Sequence, residues 1–100
     1  MADTVTVSAI QMPIVDEHDR DPNIDVAVTL ATIAGERGSD LIVLPELFSG
    51  IKPRGTIPGP ETDRLGAVAK KAGTYIVVPF YVSFDDGNTC NCSVLLDRNG

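Results

Sequence analysis

Asp40-Leu41-Ile42-Val43-Leu44-Pro45-Glu46-Leu47-Phe48 is an apolar run that ends abruptly in a carboxylate. Leu41 to Leu44 predict a strand buried on both faces, the pattern of a parallel sheet. Pro45 stops it, because proline donates no ladder hydrogen bond and fixes its own φ. Glu46 is left at the carboxyl end of that strand, where open α/β sheets place their ligand crevices. Partial desolvation there raises a carboxylate's pKa toward the range useful for proton transfer. Glu46 is therefore the candidate catalytic residue. By position alone, a strand-end carboxylate can also be satisfied by solvent or by a helix N-terminus.

Upstream, Thr4 to Gln11 reads as a first strand, and Pro13 to Pro22 as a charged, turn-rich loop. Asn23 can cap a helix, along which Ile24, Ala27, Val28, Ala31 and Ala34 form one apolar stripe. Gly35 and Gly38 stop it. Downstream, Ser49 to Pro60 is a loop rich in glycine and proline. Glu61, Thr62 and Asp63 open a second helix with Leu65, Val68, Ala69 and Ala72 on its apolar face, and Gly73 ends it. Tyr75 to Phe80 is a third strand, interrupted by Pro79, with Val82 and Phe84 as a possible extension. Asp85-Asp86-Gly87-Asn88 is a hairpin turn. Cys92 to Leu96 is a fourth strand, followed by the turn Asp97-Arg98-Asn99-Gly100. The order β-α-β-α-β-β implies right-handed crossovers with parallel pairing, then an antiparallel last pair.

One hundred residues allow one domain at most. The net charge of −6 argues against nucleic acid or an anionic membrane as partner. Tryptophan is absent, which weakens any base-stacking platform. No stretch approaches the roughly 20 apolar residues that span a bilayer, and the N-terminus lacks a signal-peptide pattern. These features suit a cytosolic chain whose two cysteines, Cys90 and Cys92, stay reduced. Two residues apart on a strand is poor geometry for a mutual disulfide.

Gly35-Glu36-Arg37-Gly38-Ser39 running into Asp40–Phe48 resembles the nitrilase, or carbon–nitrogen hydrolase, superfamily. Val5-Thr6-Val7-Ser8-Ala9-Ile10-Gln11-Met12 is similar to that family's first strand, and Ile57-Pro58-Gly59-Pro60 to the loop before its second helix. Asn91-Cys92-Ser93-Val94-Leu95-Leu96-Asp97-Arg98-Asn99-Gly100 is similar to its Tyr-Asn-Ser-Ala strand and following turn. The resemblance implies an α/β fold, the N-terminal portion of an α-β-β-α sandwich, with residues 1–100 a partial domain that lacks the later half. It implies a hydrolase of nonpeptide carbon–nitrogen bonds acting on small amides, nitriles or N-carbamoyl compounds. Glu46 matches the family's general base. The family's lysine and cysteine lie farther along its chains. No cofactor or metal is implied, and a homo-oligomer is.

The resemblance also implies that this piece alone is inactive. A helix-covered sheet with its second face bare would leave a large apolar patch and a chain prone to self-association. Cys90 and Cys92 stand where the family has Tyr and Ser or Thr, and read as small buried hydrophobes rather than nucleophiles. Two cysteines fall short of the four ligands of a structural zinc. Lys70 and Lys71 read as a solvated helix face. Phe48 either lines a substrate pocket or packs under the loop. Lys52, with Arg54, either helps bind an anionic substrate or is simply exposed. The rival reading is a non-catalytic, flavodoxin-like α/β module that binds a ligand or partner.

Overall fold

In the computed structural model, which describes residues 4–100, two helices lie on one face of a four-stranded sheet. The elements are β1 (Val7–Ala9), α1 (Arg20–Glu36), β2 (Leu41–Val43), α2 (Pro60–Ala72), β3 (Tyr75–Ser83) and β4 (Thr89–Leu96). Their order in space is their order in the chain, with β1, β2 and β3 parallel and β4 antiparallel to β3. Two right-handed crossovers stepping in one direction must put both helices on the same face. Accordingly, α1 and α2 pack against each other, α1 against β2, and α2 against β3 and β4.

Strand alternation then sorts the side chains. Ile42, Ile76, Val78, Phe80, Val82 and Leu96 point to the helices and are buried. They meet Ile24, Ala27, Ala31 and Ala34 of α1 and Leu65 and Ala69 of α2 in one core. Each large side chain in it contributes about 1.5–3 kcal/mol by leaving water. The alanines of α1 and Gly35 let the helices approach closely; a Cβ at Gly35 would fall 2.7 Å from the Ala72 Cβ.

The opposite face is bare. Val5 and Val7 on one side and Leu95 on the other are 71 %, 55 % and 63 % exposed. Leu41, Val43, Tyr75 and Val77 between them are only half-buried. Thus β2 is covered on one face, not on both as its apolar run predicts.

Several element boundaries also differ from the sequence reading. Helix α1 begins at Arg20, not Asn23. Asp19 is its N-cap, accepting from the Asp21 amide at 3.0 Å. Pro22 fits inside the first turn, where its missing N–H has no intrahelical partner to lose. Asn23 is instead buried and ties the preceding loop down. Its Oδ1 accepts from the amides of Val15 (2.7 Å) and Asp16 (3.1 Å), while its Nδ2 donates to the carbonyls of Asp16 and Ser49.

Strand β3 runs straight through Pro79. On its β2 side, the Tyr75 amide donates to Asp40, Val77 accepts from Leu44, Tyr81 accepts from Gly55 and the Ser83 amide donates to Gly55. Pro79 falls on that same edge by alternation, in the gap between the end of β2 and Gly55, so its missing N–H breaks no ladder. Finally, β1 is only three residues long and pairs only over the length of β2. Strand β4 begins earlier than expected, at Thr89, because the Asp85–Asn88 turn closes tightly. There Gly87 has φ 85°, and the Phe84 amide donates to the Asn88 carbonyl at 2.8 Å.

Candidate functional site

Beyond Val43 the chain leaves the sheet through Leu44, which is buried, and Pro45, and turns over the Glu46–Ser49 segment. The turn is closed by the Gly50 amide donating to the Leu47 carbonyl at 3.0 Å. Leu47 sits at φ 53°, a left-handed conformation that costs a residue with a Cβ roughly 1–2 kcal/mol. Phe48, 1 % exposed, anchors the turn in the core. Asn23 adds a second anchor through the Ser49 carbonyl at 3.1 Å. The backbone on the C-terminal side of Glu46 is therefore held by one aromatic side chain and one buried amide.

Glu46 is set over the bare face of the sheet. It lines an open hollow of about 410 Å³ together with Val43, Val77, Pro79, Asn91, Cys92 and Ser93. Its Oε1 accepts a hydrogen bond of 2.9 Å from Asn91 Nδ2. The floor is apolar, from β2 and β3, and one wall is polar, from β4. Glu46 is exposed, not partly desolvated as the sequence reading has it. The reason is the missing cover: the hollow has a floor and a wall but no roof among the described residues.

The other candidates are distributed elsewhere. Phe48 is a core residue under the loop and does not line the hollow. Lys52 is exposed and lines a separate small notch with His18, Arg20, Arg54 and Glu61, none of which borders the Glu46 hollow. Cys92 is half-buried against the core, but Cys90 is exposed, correcting the reading of both as buried. β4 is an edge strand here, and its covered end is the other one, where Gly66 of α2 backs onto Gly100. Lys70 and Lys71 are exposed on α2. No group of three potential metal ligands occurs among the described residues, and no described helix is long and apolar enough to cross a membrane.

Two residues escape the sequence reading. Asn91, quoted only as part of a strand, is the partner of Glu46; the contact joins positions 45 residues apart, and no local pattern announces it. Glu61, read as a helix-opening acid, is fully buried. Arg20 Nη1 lies 3.5 Å from its Oε1, close enough for attraction, yet neither carboxylate oxygen has a hydrogen-bond partner. Burial pushes the Glu61 carboxyl above its ordinary value of 4.5, and Arg20 partly opposes this.

Residues 6–100 match the carbon–nitrogen hydrolase family. A bifunctional nitrilase/nitrile hydratase of Nicotiana tabacum is 33 % identical over 104 residues, covering 78 % of this chain and 29 % of its own length. An omega-amidase of Xenopus tropicalis is 34 % identical over 87 residues, covering 78 % and 31 %. The chain thus spans about a third of the length of these curated relatives. A Saccharomyces cerevisiae member of branch 10 of the nitrilase superfamily superposes with TM-score 0.80 at 19 % identity, over 96 % of this chain and 41 % of its own. A glutamate-to-glutamine mutant of the amidase from Nesterenkonia sp. AN1, whose structure shows the result of Michael addition of acrylamide at the active-site cysteine, superposes with TM-score 0.70 at 21 % identity, over 96 % of this chain and 41 % of its own.

Proposed function

The chain belongs to the carbon–nitrogen hydrolase family, and from that premise we propose that the complete protein cleaves nonpeptide carbon–nitrogen bonds of small amides, nitriles or N-carbamoyl compounds, with Glu46 as general base. The observation that carries this reading is the place of Glu46: a carboxylate at the carboxyl end of β2, on an anchored turn, over an apolar-floored hollow. Nitrilase and amidase activities named for the relatives support the substrate class. The active-site cysteine named for the Nesterenkonia amidase supports a thiol nucleophile.

The chemistry needs a base at this point. A thiol of pKa about 8.5 is mostly protonated at neutral pH and is a poor nucleophile until its proton is removed. Glu46 takes that proton, the sulfur attacks the amide carbon, and the negative charge that builds on oxygen is stabilised by a cation, the role a lysine fills. The proton passes to the leaving amine as the carbon–nitrogen bond breaks, giving a thioester. Glu46 then deprotonates water, which cleaves the thioester and restores the thiol. The cysteine and lysine come from chain beyond the part described here, so residues 1–100 alone are inactive on this reading.

The test is Glu46→Gln in the complete protein, assayed on simple amides and nitriles. A positioned base is worth about 10²–10⁴-fold, so turnover should fall by that factor with the thermal midpoint unchanged. Turnover close to that of the parent would overturn the proposal.

A further inference from the structure

We infer that Asn91 is a positioning residue for Glu46, a role that rests on the reading of Glu46 as the general base. The two side chains meet at 2.9 Å across 45 residues of sequence. Only the amide nitrogen of asparagine can donate to a carboxylate oxygen, so the chemistry fixes which way the Asn91 side chain faces. Its backbone is equally constrained. Asn91 pairs with Tyr81 in the β3–β4 ladder, and the register is set by the Asp85–Asn88 turn, where Asp86 Oδ1 accepts from the Asn88 amide at 2.9 Å. By alternation Asn91 shares the bare face with Ser93 and Leu95, the same face that Glu46 overhangs. One element, its register fixed by the ladder, thus brings a donor to a carboxylate carried by another.

The arrangement suits a base. The bond engages Oε1 and leaves Oε2 to accept a proton. The donor is a neutral amide, so it orients the carboxylate without setting a cation against it. It also limits the side chain to one orientation, where an exposed glutamate would otherwise sample several rotamers. Of the residues lining the hollow, only Cys92 is ionisable besides Glu46. Its side chain lies on the helix face, opposite Phe80, and its thiol is pushed up by a hydrogen bond with Cys90 and by burial, so it stays neutral. Among the residues lining the hollow, Asn91 is thus the one whose side chain hydrogen-bonds Glu46.

The experiment compares Glu46→Gln, Asn91→Ala and Asn91→Asp in the complete protein, reading kcat, KM, the pH profile and the thermal midpoint. Asn91→Ala should lower kcat about 10- to 100-fold, the worth of a hydrogen bond to a charged group, with KM within about twofold. Asn91→Asp keeps the shape but sets a second carboxylate against Glu46. It should lower kcat further and move the acidic limb of the profile to higher pH, because like charges at that distance hold a proton. If Glu46→Gln is inactive while both Asn91 variants keep the parent's kcat, the positioning role is overturned and the base survives. Equal losses in the two Asn91 variants that follow a drop in thermal midpoint, with an unmoved pH profile, also overturn it. An active Glu46→Gln overturns the reading of Glu46 and the role of Asn91 with it.

Discussion

The two faces of this sheet are built from the same strands and differ in almost every physical respect. On one, Ile42, Ile76, Val78, Phe80 and Val82 meet α1 and α2 in a dry core. On the other, Val5, Val7 and Leu95 stand in solvent and Glu46 overhangs a roofless hollow. The covered face gives the chain its stability. The bare face carries the candidate chemistry, but the sheet alone does not complete it. A strand contributes to both at once, since odd and even residues point apart. Glu46 and Phe48, two positions apart, would share a face in a strand; the turn through Leu47, at φ 53°, sets one over the bare face and the other in the core.

The largest effect should come from the covered face. Phe80→Ala empties a fully buried aromatic site and should cost about 3–5 kcal/mol in urea unfolding; a loss under 1 kcal/mol would mean the helices do not seal that side. Next comes the polar group inside the same layer. Asn23→Ala orphans the amides of Val15 and Asp16 and should cost about 1–3 kcal/mol. It should also speed hydrogen exchange at Gly50, whose amide closes the turn after Glu46; an unchanged exchange rate would detach Asn23 from the site.

A smaller effect is expected at Glu61, visible as a pH trend. Its carboxyl titrates higher folded than unfolded, so the native state holds the proton longer. Stability is then greatest below the unfolded value near 4.5 and declines as pH rises through the raised folded value. Glu61→Gln should flatten that decline. A steeper decline in the variant would show that the Arg20 pair outweighs the desolvation.

The smallest change in stability belongs to the bare face. Leu95→Lys in the 100-residue chain should stay within about 0.5 kcal/mol of the parent while reducing self-association in sedimentation. In the complete protein the same change should cost several times more if another layer covers Leu95. Equal costs in the two would leave the bare face bare.

Much of this was legible in the sequence, and the exceptions follow a rule. The stripe Ile24, Ala27, Ala31 and Ala34 predicts the buried side of α1, because period 3.6 is a local property. Gly73 marks the end of α2 with φ 66°, as a left-handed C-terminus demands. The order of elements, the parallel pairs and the final hairpin follow from element lengths and turn chemistry. Two of the misread boundaries, those of α1 and β3, involve proline. Pro22 and Pro79 break helices and strands only where an N–H is needed, and need is set by neighbours. Asn23 looks like a cap and is a buried tether, since its partners at Val15 and Ser49 are brought to it by the fold.

By itself the sequence determined the alternation of strand and helix, the apolar stripes and the strand-end carboxylate, because each depends on residues within a few positions of one another. Tertiary structure alone decided that both helices share one face, that Cys90 and Glu46 stand in solvent, that Glu61 is buried beside Arg20, and that Asn91 reaches Glu46. These depend on which distant segments the crossovers and the hairpin register bring together, and exposure is a property of what covers a residue rather than of the residue.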